Sequence, residues 1–263
     1  MAVTDQLPAP QEHHEVKGQD CLHRYVRSEA AASAPVTWAN LAGIVSVTVG
    51  EPTYATERDV FQQGSKDHTH IKRDPMWPVT INCLSGKGAE VIAAILGETW
   101  GASHVGIPFH ATKDEPQIIL ESIFRRRDNE THVFSRVLQD LILDSKGHDN
   151  PMEYADDVIN LHTYYPPFYV YAGYEAVLDV WAATPSTNTY TLSSTPATIL
   201  TASSHDFWEF DNAAFIKNKD DSAGDSVGVR LTSGVSISGV TMTFTAGTPA
   251  TSDVISCLYV TAT

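Results

Sequence analysis

Eleven histidines are the first residues of this chain whose chemistry invites a function. Asp67-His68-Thr69-His70 is the tightest grouping, because imidazoles at i and i+2 of an extended segment project to one side. A metal centre needs three or four ligands at a recognisable spacing, with a shell of hydrogen bonds orienting them. No neighbour of His68 and His70 completes such a set, and His13-His14 stands in a polar terminal stretch. Cys21, Cys83 and Cys257 lie far apart and form no C-x-x-C pair, so neither a zinc ribbon nor a disulfide framework is expected. They read as small buried hydrophobes. Leu84-Ser85-Gly86-Lys87-Gly88 superficially resembles a phosphate loop, but position 81 is Ile where a glycine is needed and Gly88 replaces the required Ser or Thr. No serine occupies a G-x-S-x-G elbow. Glu153, Asp156 and Asp157, and again Asp220, Asp221 and Asp225, lack the calcium-loop pattern and read as solvated turns. Arg125-Arg126-Arg127, beside Asp128 and Glu130, reads as a salt-bridged strand tip, and Asn129-Glu130-Thr131 is a glycosylation sequon of a kind that arises often by chance. The expectation is a protein with no catalytic residue, no cofactor and no metal: not an enzyme.

Charge narrows the partners. With 17 basic against 32 acidic side chains in 263 residues the formal charge is −15. A protein that grips nucleic acid must neutralise phosphates, and this one repels them on average. The 42% hydrophobic and 19% charged composition is that of a globular chain with a core. No run approaches the ~20 apolar residues of a membrane-spanning helix, and the polar stretch from Met1 to Asp20 carries no apolar leader segment, so no membrane partner and no secretory signal are expected.

The elements follow from periodicity. Residues 1–35, with Pro8, Pro10 and an Ala-rich run, read as an extended arm with at most one helical turn. Ile44 to Val49 reads as a strand with Val45, Val47 and Val49 on one face. Residues 50–78 read as a long polar loop, and Val79 to Cys83 as a second strand. A helix is expected over about 87–98, capped by Ser85, with Val91, Ile92, Ile95 and Leu96 as its apolar stripe and Gly97 or Gly101 as its end. Ile118 to Leu143 reads as a strand pair around the arginine tip, and the aromatic run Tyr164 to Tyr171 as an edge or bend, because of Pro166 and Pro167. The unit 36–180 is therefore a β-sandwich or barrel-like sheet with one packed helix. Beyond the Thr/Ser/Pro linker at 181–188, residues 189–263 are rich in Ser and Thr. Candidate strands there are Tyr190 to Leu192, Phe207 to Phe210, Val227 to Leu231, Val240 to Phe244 and Val254 to Val260, the pattern of a small immunoglobulin-like β-sandwich.

The order of polar arm, strand Ile44 to Val49 with Glu51 after it, long loop, strand Val79 to Cys83, helix Ala89 to Trp100 and strand pair Ile118 to Leu143 resembles that of the major tail (tail tube) proteins of long-tailed bacterial and archaeal viruses. The likeness covers most of residues 36–180, and the last 80 residues are similar to the outer β-sandwich modules that such proteins carry. The resemblance implies homohexameric rings that stack into a tube for viral DNA, which passes without specific binding. It also implies tape-measure, tail-terminator and baseplate proteins as partners, synthesis in the host cytoplasm, and a place in the virion tail.

On that resemblance the long loop is the inter-ring contact, with Phe61, Gln62, Gly64, His68 and His70 its candidate residues, and Glu121, Asp140 and Asp144 are candidate lumen-facing carboxylates. The alternative is a carbohydrate-binding or adhesion module contacting sugars through Tyr164 to Tyr171, Tyr169 and Tyr171 above all.

Overall fold

The structure, a computed structural model, describes residues 21–28, 30–56, 72–84, 87–97, 118–125, 132–149, 156–184, 187–198, 214–220, 229–231, 233–245, 249–250 and 253–263. In chain order the elements of its first part are β1 (Cys21–Arg27), β2 (Ala39–Asn40), β3 (Ile44–Val49), β4 (Thr53–Thr56), β5 (Lys72–Cys83), α1 (Gly88–Leu96), β6 (Ile118–Arg125), β7 (His132–Asp149), β8 (Asp156–Thr163) and β9 (Phe168–Tyr171). All nine strands form one antiparallel sheet in the order β2-β1-β6-β7-β8-β5-β3, with β4 on β5 and β9 on β7. The second part holds β10 (Tyr174–Ala182), β11 (Thr189–Thr191), β12 (Ala214–Asp220), β13 (Val229–Arg230), β14 (Val235–Ser238), β15 (Thr241–Phe244) and β16 (Asp253–Ala262). These make a sheet β10-β16-β12-β13 facing a smaller sheet β11-β15-β14. The chain is mainly β, with antiparallel sheets and one helix among the described residues.

Three apolar clusters follow from strand alternation. The first fills the concave side of the large sheet, with Val79, Ile81, Ile118, Leu120, Leu138, Leu141, Ile159 and Leu161, and α1 closes it with Val91, Ile92 and Ile95. Both helix ends are held by the sheet. The Asp157 carboxylate of β8 accepts the Gly88 N–H (3.0 Å), so a side chain 69 positions away does what Ser85, outside the described residues, was expected to do. At the other end Arg27 donates to the Ile95 carbonyl (2.6 Å), and Gly97 ends the helix in the left-handed region that glycine favours (φ 77°). The second cluster joins the outer side of β1, β6, β7 and β9 to the second part: Val26, Ile119, Val137, Phe168 and Val170 meet Leu178, Val180, Phe215 and Leu258. The third lies between the two small sheets, around Tyr190, Ile216, Met242, Ile255 and Tyr259.

Several expectations are corrected. Cys21–Arg27, read as part of an arm, is a strand paired over its whole length with β6. Residues 50–78 are not all loop: β4 and the first half of β5 occupy both flanks. The outer sheet starts at Tyr174, so Trp181 and Ala182 are strand residues, and β12 and β14 were not anticipated. Residues 33–36 also bond this sheet, Ser33 exchanging backbone hydrogen bonds with Val180 and the Val36 N–H reaching the Leu178 carbonyl. Val45 does not share a face with Val47 and Val49, because a bulge between Ile44 and Ser46 turns it outward; Ile44 packs on the core instead.

His23, enclosed between β1 and β6, bonds the Ser122 hydroxyl (3.0 Å), and burial, with Arg136 as a cationic neighbour, holds its pKa down to about 4. The unfolded chain takes a proton there near pH 6.5, whereas the folded chain stays neutral until about pH 4. Stability is therefore lost as pH falls through that window, by about 3 kcal/mol in all. Urea unfolding at pH 7, 5 and 4 is expected to show this slope in the natural chain and a shallower one in His23→Gln.

Candidate assembly surface

Part of one face of the large sheet belongs to none of the three apolar clusters of the described residues. On β3, β5, β8 and the second half of β7, the residues out of phase with the core are Ser46 and Thr48, Pro78, Thr80 and Asn82, Val158, Asn160 and His162, and the buried Ile142 with Asp144 beside it. Register sets them in rows across the strands, Thr48 opposite Thr80 opposite Asn160, and Ser46 opposite Asn82. Asn82 donates to the Ser46 hydroxyl (2.9 Å) and Thr80 to the Asn160 carbonyl oxygen (3.3 Å). Asp144 pairs with His162 (2.6 Å), whose ring meets Tyr164 edge-on. The stripe is thus mostly hydroxyls and amides, with Pro78, Val158 and Ile142 among them, and its described side chains include no lysine or arginine.

The margins of the sheet are the second open feature. Among the described residues β3 and β4 pair with β5 alone, β9 with β7 alone, and β2 with β1 alone. Because the Leu41 N–H bonds the His23 carbonyl, the intervening register pair Arg24–Asn40 leaves the backbone groups of Asn40 pointing away from the sheet. On β3 the outward Val47 carbonyl is taken by the Arg136 guanidinium of β7 (2.7 Å), whereas the other margins are open strand edges, templates for another strand.

Of the three carboxylates expected on a lumen wall, two are excluded from any open surface. Glu121 is 1% exposed, held by the Arg24 guanidinium and the Ser135 hydroxyl (2.5 Å) beneath the outer sheet. Asp140, 4% exposed, pairs with Lys217 of β12. It occupies a positive-φ position (47°), where β7 changes register against β6; aspartate tolerates such backbone better than most residues. Burial, with Arg230 adding to it, holds the Lys217 ammonium down to about 7. Asp144 alone lies on the open stripe. Strand alternation could not separate a face covered by a second sheet from a bare one. Phe61, Gln62, Gly64, His68 and His70 lie outside the described residues.

No family model matches the chain. No curated protein matches it either. Among solved structures it is similar to the tube-terminating cap of the anti-feeding prophage, at 10% identity and a TM-score of 0.34, over 65% of this chain and 100% of that one. It is similar to a chain of the sheath–tube complex of an extracellular contractile injection system in its extended state, at 7% identity and a TM-score of 0.35, over 65% and 100%. Hcp1 from Salmonella typhimurium is matched at 8% identity and a TM-score of 0.25, over 62% and 87%. At identities and TM-scores this low, the reading of this chain rests on its own surfaces.

Those surfaces hold little that could react. Among the described residues no group of three His, Cys, Asp or Glu could hold a metal, and no helix is long and apolar enough to cross a membrane. Burial pushes the Cys21 thiol up to about 11 and the Cys257 thiol further up, away from the thiolate that reacts. Charge does not mark the stripe, which is mostly hydroxyl and amide. Its signal was present in the polar phase of each strand: Ser46 and Thr48, Thr80 and Asn82, Asn160 and His162.

Proposed function

We propose that this chain is a structural subunit of a viral tail tube, in which copies join edge to edge into hexameric rings and the rings stack into a pipe that conducts DNA. The observation that carries the reading is the combination of open strand margins with one mostly polar face whose described side chains include no lysine or arginine. Joining the β2 margin of one copy to another open margin of the next removes both edges by ring closure. The same closure turns the stripe of Ser46, Thr48, Thr80, Asn82, Asn160 and His162 toward the bore. A wall of hydroxyls and amides without cations offers phosphates no ion pair, so a polyanion slides past without being held. In place of a wall of carboxylates, the lining is neutral, with Asp144 as its charged member, paired to His162. Tape-measure, terminator and baseplate components are the partners this role requires, and the virion tail is its location.

Electron microscopy of the concentrated protein tests the reading, with hollow rings or tubes the expected result. Asn40→Pro removes an outward-pointing N–H and no ladder bond within the subunit. It is expected to leave the melting temperature unchanged and abolish rings. A monodisperse monomer at high concentration, across low and high salt, overturns the proposal.

A further inference from the structure

Lys217 stands where an apolar residue is expected. On β12, Ala214 and Ile216 face the small sheet, whereas Phe215, and Lys217 two residues on, face the large one. On the large sheet, Gln139 and Asp140 of β7 together stand against the single residue Ile119 of β6, a bulge in which Asp140 takes its positive φ. The bulge leaves Leu138 and Leu141 both in the first cluster and turns the Asp140 carboxylate out to meet Lys217. The two side chains, 11% and 5% exposed, are nearly enclosed. The Lys217 nitrogen lies 5.0 Å from the centre of the Tyr165 ring and 5.8 Å from that of Phe215, and these rings meet edge-on. A cavity of about 20 Å³ beside the pair, with room for one water, is lined also by Ser28, Gln139 and Ser256. The Ser28 hydroxyl and the Gln139 amide nitrogen are buried with no hydrogen-bond partner among the described residues.

As an ion pair this arrangement contributes little, because removing two charges from water offsets most of their attraction. Burial favours the neutral partners, an amine and a carboxylic acid, and the nearby Arg230 cation, 4.1 Å from the Phe215 ring, adds to that on the amine side. We infer that Lys217 and Asp140 become joined by an amide bond from Nζ to Cγ, a covalent tie between the large sheet and the outer sheet. The neutral amine attacks Cγ, the Cγ–Oδ bond of the acid breaks, and the departing hydroxyl takes one amine proton and leaves as water. The other amine proton stays on the amide nitrogen, so the step balances without an oxidant or an activated acyl donor. In water the same two groups are an ammonium and a carboxylate, which do not condense. The fold removes both charges and holds the reacting groups together, so the proximity that a bimolecular reaction lacks is built in. The Ser28 hydroxyl and the Gln139 amide, which line the same cavity, are donors available to the oxygen that gathers charge during the attack. The cavity has room for the water released, and the product leaves neither charge of the pair in the interior. Nothing in this inference rests on the tube reading.

Intact-mass spectrometry of the full chain, purified under native conditions and then denatured, is the test. The natural chain is expected to be lighter than Lys217→Arg by one water molecule beyond the substitution itself, because arginine keeps the ion pair but is too weak a nucleophile to form the amide. Asp140→Ala is expected to keep that water as well. A protease digest of the natural chain is expected to yield one branched peptide holding both Lys217 and Asp140, a readout that needs no variant to fold. In denaturing gel electrophoresis the natural chain, closed into a loop by the bond, is expected to run ahead of Lys217→Arg. A natural chain at its full sequence mass overturns the inference and leaves an ordinary ion pair. Loss of water that persists in Lys217→Arg, or that maps to a residue other than this pair, overturns it too. The mass is read the same way whether or not the natural chain forms rings, so this inference and the tube reading fail separately.

Discussion

A chain lacking residues 253–263 is expected to accumulate as insoluble protein, without a folded tube domain. That segment is β16, which pairs with β10 on one side and β12 on the other over nearly its whole length. Without it β10 has no strand neighbour in that sheet, β12 keeps only its two-residue pairing with β13, and the outer sheet is lost. The loss does not stop there, because the outer sheet covers Val26, Ile119, Val137, Phe168 and Val170 of the large sheet. Exposing five such side chains at roughly 2 kcal/mol each costs about 10 kcal/mol, as much as the whole stability of a typical domain. Glu121 and Arg24 would also lose the cover that excludes water from their pair. On this expectation the second part is a structural half of the subunit, without which residues 36–180 do not hold their fold. Expression of the truncated chain, assayed by its soluble fraction and by binding of a hydrophobic dye, checks this. A soluble, cooperatively melting fragment would refute it.

Asp179→Ala is expected to destabilise the subunit by about 3–5 kcal/mol, the range found when one member of a buried charged network is removed. The Asp179 carboxylate is fully buried in β10 and accepts three hydrogen bonds: the Ser193 N–H (2.7 Å), the Ser193 hydroxyl (2.8 Å) and the Tyr259 hydroxyl (3.0 Å). The Tyr259 oxygen in turn accepts the Ser194 N–H (3.0 Å). These bonds join β10, β16 and the 193–194 turn, closing one end of the sandwich. Alanine leaves two donors buried without acceptors. Tyr259→Phe removes a single node and is expected to cost less, about 1–3 kcal/mol. Urea unfolding of the two variants and of the double mutant measures both costs and their coupling. Additive losses would show that the three residues do not act as a unit.

The elements legible in the sequence were those whose signal is local. The helix announced itself through Val91, Ile92, Ile95 and the closing Gly97, and the strands at 44–49, 79–83 and 118–143 through period-two alternation. What escaped depended on partners distant in the chain. Cys-Leu-His-Arg-Tyr-Val-Arg at residues 21–27 looks too polar for a central strand until Arg24 is seen on Glu121, His23 on Ser122 and Arg27 on the helix end. Tyr174–Ala182 has a good strand pattern, but only its pairing with β16 shows to which sheet it belongs. A one-residue bulge moved Val45, and no periodicity rule carries such an offset. The site divides in the same way. Two of the three carboxylates singled out for a wall are buried by tertiary packing, Glu121 against Arg24 and Asp140 against Lys217, partners 97 and 77 positions away that strand alternation does not reveal. The neutral phase of β3, β5 and β8 was readable all along, but its polar residues gain meaning only from the register that sets them side by side.

The pairing of β16 between β10 and β12 also sets a clock on synthesis. The outer sheet cannot form before residues 253–262 have emerged from the ribosome, and until then the apolar outer face of β1, β6, β7 and β9 has no cover. Partly made chains therefore carry an uncovered apolar face, the kind of surface through which incomplete domains aggregate. Folding of the large sheet is thereby expected to finish late, with the arrival of β16, rather than strand by strand.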